Sequence, residues 1–230
     1  MIKVFVGYDA RQDYSQPLKS GDNPPYRVCK ASIRKYNKKV QIIPLKLSSL
    51  IELGLYYREV DPLASTEFTY SRFLVPYLSD YKGVSIFCDS DFLWNCNVEK
   101  LLEFYDDSNA VTCVKHDYTP LETTKMDGCT QAAYPRKNWS SLMMFNCAHE
   151  ACKNLSVENV NNLSAKYLHR MQWVNDDNIG ELPLTYNFLE GDYTPSAIAP
   201  QVIHYTNGGP WHKTWNGSYR ENWMNIFDKL

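Results

Sequence analysis

Short apolar runs of strand length recur along the chain with helical stretches between most of them, and that alternation admits few folds. The runs are Ile2–Val6, Val40–Pro44, Val84–Cys88, Ala110–Val114, Ser141–Phe145 and Gln201–His204. Buried strands interleaved with helices imply an α/β fold built on a central, mainly parallel sheet. Tyr26–Asn37 reads as a helix, with Cys29, Ile33 and Tyr36 on one face and Arg27, Lys30, Arg34 and Lys38 on another. Ser65–Leu78 reads as a second helix, with Ser65 as its cap and Glu67 in its first turn. Its apolar stripe is Tyr70, Phe73, Leu74 and Tyr77, and Pro76 is expected to kink or end it. Further helices are expected at 98–105, as two short segments near 148–167, and near 219–229. Residues 8–25 and 115–138 read as long loops, which in compact folds are commonly functional.

At 230 residues, with no repeat and no linker-like stretch, the chain is expected to form one domain, 1–230. Lys and Arg total 24 against 26 Asp and Glu, so no polybasic surface points to nucleic acid or an anionic membrane. No apolar run is long enough to span a bilayer, and Met1–Val6 is too short for a signal peptide, so a cytoplasmic location is expected. The seven cysteines form no C-x-x-C pair, which argues against a zinc ribbon or a disulfide framework. Sequons at Asn138, Asn154, Asn162 and Asn216 then read as chance matches in an Asn-rich chain. Tyr 17, Phe 9 and Trp 6 exceed what a core needs, and such side chains often line sites for ring-shaped ligands.

The sharpest chemical feature is Ile86-Phe87-Cys88-Asp89-Ser90-Asp91, an apolar strand ending in two carboxylates at i and i+2. Strand alternation would set them on one face, roughly 7 Å apart at Cα. Like charges that close call for a cation. Carboxylate oxygens suit Mg²⁺ or Mn²⁺, which take phosphate oxygens as further ligands. In open α/β sheets, ligands bind outside the carboxyl ends of the strands, where this pair lies.

Two other stretches accompany it: Thr69-Tyr70-Ser71-Arg72 upstream, and Val202-Ile203-His204-Tyr205-Thr206 before Asn207-Gly208-Gly209-Pro210-Trp211. In this order the motifs resemble those of the family 8 glycosyltransferases and their relatives with the GT-A fold, from Val6 to Trp211. The resemblance implies a Rossmann-like GT-A domain whose first half, 1–110, binds a nucleotide-sugar. Its second half, 111–230, would complete the metal site and bind the acceptor. Asp89, Asp91 and His204 would hold Mn²⁺ or Mg²⁺. Val6, Gly7, Tyr8 and Asp9 fall where the family grips base and ribose, and Arg11 falls where it could meet a phosphate. Ser90, Gly208, Gly209 and Lys213 join that nucleotide-sugar set. Arg72 corresponds to the arginine of the family's T-Y-x-R stretch, near the sugar and the first aspartate. Asp176 and Asp177 lie in its acidic stretch beside the transferred sugar, and with Arg72 they are the catalytic candidates. Asn138, Trp139, Ser140 and Ser141 match its small-residue loop, which with His116 and Trp211 would face sugar and acceptor; Trp173 is a further stacking candidate.

The chain departs from that pattern at three places. Gly209 stands where the family has a diphosphate-binding lysine, with Lys213 or Arg11 as substitutes; Trp139 replaces an asparagine, and Asp176 a glutamine. The implied activity is metal-dependent transfer of a hexose from a UDP-sugar to a glycan, lipid-linked or small hydroxyl acceptor, with retention. Two alternatives stand beside it. One is a catalytically silent carbohydrate-binding protein; the other is a haloacid dehalogenase-like phosphohydrolase, whose D-x-D belongs nearer the chain start.

Overall fold

The computed structural model describes residues 2–12, 23–59, 61, 64–117, 135–195 and 199–230. In chain order the strands among them are β1 (Lys3–Tyr8), β2 (Gln41–Lys46), β3 (Val84–Cys88), β4 (Phe92–Trp94), β5 (Val111–Cys113), β6 (Leu142–Asn146), β7 (Ile179–Glu181), β8 (Phe188–Leu189) and β9 (Val202–His204). The α-helices are α1 (Pro24–Tyr36), α2 (Leu47–Glu52), α3 (Val75–Leu78), α4 (Val157–Asn162), α5 (Ala165–His169) and α6 (Arg220–Phe227). The main sheet runs β2-β1-β3-β6-β5-β7, and a second, three-stranded sheet runs β4-β9-β8. In the main sheet β1 pairs parallel with β2 and β3, and β5 with β7, while β6 runs antiparallel to both neighbours. The expected mixed, mainly parallel α/β sheet is present.

Alternation along the strands separates two apolar layers. Val4, Val6, Ile86, Cys88, Leu142 and Met144 belong to one buried cluster, shared with Tyr26, Cys29 and Ile33 of α1. Phe5, Phe87, Met143 and Phe145 belong to the other, shared with Phe73, Leu74 and Val75. α1 begins earlier than the sequence pattern indicates. Asn23 accepts a hydrogen bond from the Tyr26 N–H and caps it, while Pro24 and Pro25 occupy the first turn, where a missing N–H costs nothing.

The continuous helix expected at 65–78 is absent. Residues 65–70 form bends and turns, 71–74 a 3₁₀ turn, and only 75–78 is α-helical, with Pro76 in its first turn. Two causes are visible. A proline at 76 would clash with the carbonyl four residues earlier in an unbroken helix. Residues 65–67 are also tied to the end of β1: the Ser65 carbonyl accepts from Arg11, and the Glu67 carboxylate accepts from the Ala10 N–H at 2.8 Å. Near 148–167 there are three helical pieces instead of two, a 3₁₀ turn at 150–154 followed by α4 and α5. The segment at 98–104 is 3₁₀.

Tyr205, Trp211, Trp215 and Trp223 join Val28, Leu93 and Ile203 in a third cluster, which fastens α6 to α1 and β9. This corrects the expectation that Trp211 stacks on a sugar, since only 3% of it is exposed. Trp173 is buried as well, its ring 6.2 Å from Phe145. The described cysteines are free thiols, and all are buried. No helix among the described residues is long and apolar enough to cross a membrane.

Gly7, at the end of β1, is required by packing. A Cβ there would lie 2.7 Å from the Phe68 ring. Gly7→Ala is therefore expected to displace Phe68 and cost about 1–3 kcal/mol in a denaturant titration.

Candidate metal centre

β3 stops at Cys88 and β4 resumes at Phe92, so Asp89-Ser90-Asp91 forms the turn between the two sheets. The carboxylates converge because the chain turns there, and not by the strand alternation the sequence pattern indicated. The second sheet supplies the third group. β4 and β9 pair antiparallel with Phe92 opposite His204, and the Tyr205 N–H donates to the Asp91 carbonyl at 3.0 Å. The His204 ring stacks on Phe92 with centroids 4.3 Å apart. Asp89, Asp91 and His204 thereby offer ligand atoms that all lie within 4.8 Å of one another.

Asn187, which no motif marked, orients the histidine. It is fully buried just ahead of β8, and its side-chain amide donates to the Ser141 hydroxyl at 2.9 Å. Its oxygen then faces His204 Nδ1 at 3.0 Å, an arrangement that in a neutral imidazole sets the proton on Nδ1 and a lone pair on Nε2. That lone pair lies 3.4 Å from an Asp91 oxygen. Two electron-rich atoms facing one another beside a second carboxylate make a donor set that fits a hard or borderline divalent cation. The available signal for Asn187 was an amide inside the apolar run Tyr186-Asn187-Phe188-Leu189, since a polar group buried there needs a partner.

Arg72 is deeply set. Its side chain is 6% exposed and makes a 2.7 Å ion pair with Asp89. Nη1 also donates to the Ser140 carbonyl at 3.0 Å and Nε to the Phe68 carbonyl at 3.2 Å, with the Phe68 and Phe87 rings about the guanidinium. Arg72 thus positions the first aspartate. The small-residue loop closes the other side. Asn138 is left-handed at φ 62°, Ser141 donates to its carbonyl, and the Ser141 carbonyl accepts from the Asp89 N–H at 3.0 Å. Trp139 is part of this turn, and its indole donates to the His116 carbonyl at 2.9 Å.

The proposed nucleotide residues divide. The Val6 side chain lies wholly in the core, which leaves its backbone to face the end of the strand. Tyr8 is half-buried, edge-on to Tyr26, with the Lys46 ammonium 4.5 Å from its ring centroid. Asp9 is buried and holds Arg11 by two bonds, of 2.8 and 2.6 Å. Ser90 meets Gln12 at 3.4 Å, which sets the turn after β1 beside the aspartates. Gly209 lies against Trp211, where a Cβ would come within 2.1 Å of the indole. Gly208 donates to the Tyr205 carbonyl, and Lys213 is exposed. Asp176 and Asp177 sit on an exposed 3₁₀ turn, where Asp176 pairs with Arg136 at 2.6 Å. Of the two expected loops, residues 13–22 and 118–134 lie outside the described residues.

His116 lies inside the fold instead of at a loop mouth, 5% exposed, with Nδ1 bonded to the Tyr193 hydroxyl at 2.7 Å. Burial, with the charge of His204 as a smaller cause, lowers its pKa to about 3. His169 bonds the Ser140 hydroxyl at 2.8 Å, and burial together with Arg72 brings it down to about 3 as well. Between that value and the unfolded value near 6.5, the unfolded chain binds a proton that native His169 does not. Its contribution is therefore fully present above pH 6.5 and falls by about 1.4 kcal/mol per pH unit below it. Unfolding free energies from denaturant titrations between pH 6 and 4.5 are expected to fall with a slope shallower by that amount in His169→Asn.

No protein-family model matches the chain. Its fold is similar to that of the glycosyltransferase GlyE of Streptococcus pneumoniae TIGR4, with 16% identity and a TM-score of 0.60. That match covers 98% of this chain and 59% of GlyE, so the chain spans less than two thirds of that protein. The galactosyltransferase LgtC, solved with donor and acceptor sugar analogs, is similar at 12% identity and a TM-score of 0.56, over 100% of this chain and 96% of LgtC. These likenesses identify the fold as GT-A. In sequence the chain is 46% identical to Protein CDI of Arabidopsis thaliana over 235 residues, 99% of this chain and 86% of that protein. The chain belongs to the family of Protein CDI.

Proposed function

We propose that the chain is a glycosyltransferase of the family 8 type, which moves a hexose from a UDP-sugar to a hydroxyl acceptor with retention of configuration. The observation that carries this reading is the convergence of Asp89, Asp91 and His204 at the carboxyl end of a central strand in a GT-A fold. Those three residues would hold Mn²⁺ or Mg²⁺, which when bound neutralises the charge that grows on a departing diphosphate. Arg72 keeps Asp89 in place, and Asn187 keeps the His204 lone pair turned toward Asp91. Preorganised groups of this kind stabilise a developing charge without having to reorient during the reaction.

The end of β1 is where the nucleotide binds in this reading. Tyr8 offers an aromatic face, and the backbone of Val6 and Gly7 lies beside it. Asp9 and Arg11 brace the turn that meets Ser90. Asp176 and Asp177 are the groups proposed to handle the donor sugar. Ser140, Ser141 and Trp139 shape the acceptor side, with His116 behind them.

The test is UDP release from a panel of UDP-sugars. Release is expected to require Mn²⁺ or Mg²⁺ and to stop with chelator. Asp91→Asn should lower it on the order of 100-fold or more, with a thermal midpoint close to that of the native chain, because Asp91 serves the ion and not the core. Full activity in Asp91→Asn would contradict the metal assignment. A chain that binds UDP but releases none from any UDP-sugar would be the silent binding protein.

A further inference from the structure

Beside the acceptor-side turn lies a cavity of about 290 Å³, lined by Arg136, Arg170, Met171, Gln172, Val174 and Asp176, among others. That is close to the low end of small-molecule sites, roughly 300–1,000 Å³. Its lining residues do not cancel in charge, since they include two arginines and one aspartate. Arg136 is fixed on three sides: it donates to the Arg170 carbonyl at 2.8 Å and to Asp176 at 2.6 Å, and it lies 5.3 Å from the Trp139 ring centroid. Among the described residues the Arg170 guanidinium takes no carboxylate partner.

The backbone around the cavity is held in an unusual form. Arg136 and Met171 both have left-handed φ, 63° and 52°. For residues with a side chain that conformation costs on the order of 1–3 kcal/mol each and gathers at ligand sites. The turn at 139–141 also connects this cavity to the metal centre. Trp139 stacks under Arg136, Ser140 accepts from Arg72, and Ser141 accepts from the Asp89 N–H.

We propose that this cavity receives an anionic group, a carboxylate or a phosphate, carried by the acceptor. The inference rests on the glycosyl-transfer reading for the word acceptor, and on the two arginines for the charge. Arg170 supplies the open fork that binds the anion, which a guanidinium can do with two parallel hydrogen bonds. Arg136, already held by Asp176, fixes the wall against which the ligand lies.

Calorimetric titration of D-glucuronate, inorganic phosphate and D-glucose into the full chain tests this, with and without UDP and Mn²⁺, in the native protein and in Arg170→Gln. The expected result is saturable binding of at least one anion, at least tenfold tighter than glucose. Arg170→Gln should weaken it at least tenfold while leaving UDP affinity unchanged. Tighter glucuronate would identify a carboxylate-bearing acceptor, and tighter phosphate a phosphorylated one. Equal binding of all three probes, or an anion preference that survives in Arg170→Gln, would overturn the proposal. Failure of UDP to bind the native chain would instead remove the transfer reading, and the titrations without nucleotide keep the two failures apart.

Discussion

Asp89 is a carboxylate set into the junction of two sheets with 13% of its side chain exposed, and Arg72 makes that position tenable. A charge so placed needs a partner, and removing one member of a buried pair costs about 3–5 kcal/mol. Much of the surrounding architecture follows from keeping Arg72 there. Phe68 and Phe87 enclose its guanidinium, Gly7 makes room for Phe68, and the Ser140 carbonyl accepts another of its N–H groups. The break in the expected helix at 65–78 belongs to the same arrangement. Residues 65–67 are bound to the end of β1, and the chain re-forms as a 3₁₀ turn that carries Arg72 inward.

The second sheet makes the site complete. Without β4 and β9 in register, His204 would be a strand-end histidine with no relation to Asp91. With Phe92 opposite His204, and Asn187 leading into β8, the imidazole is stacked, hydrogen-bonded and aimed. The aromatic cluster of Tyr205, Trp211, Trp215 and Trp223 clamps the same strand from behind, on the side of α1 and α6. Distant aromatic packing and local metal-site geometry are therefore linked through β9.

The central sheet was legible because alternation is a local property, and Val4, Phe5 and Val6 report it whatever lies elsewhere in the chain. The grouping of Asp89, Asp91 and His204, a candidate metal site, was legible from ordered motifs. Less so were features set by tertiary contact. The aromatic surplus suggested ring-binding tryptophans, but Trp211 and Trp173 are core, because a large apolar surface gains more from burial than from solvent contact. β4, β7 and β8 are too short to announce themselves, and Asn187 carries no spacing signal at all. Arg72, expected near the first aspartate, is ion-paired with it, but its depth in the fold had no signal in the chain.

Asp89, Asp91 and His204 are proposed to bind a divalent ion and a nucleotide as one unit. Calorimetric titration of UDP into the native chain, with and without Mn²⁺, tests it most directly, repeated in His204→Gln. UDP binding is expected to appear only with Mn²⁺ and to be lost or weakened at least tenfold in His204→Gln. UDP binding of equal strength without the ion, or undiminished in His204→Gln, would contradict it.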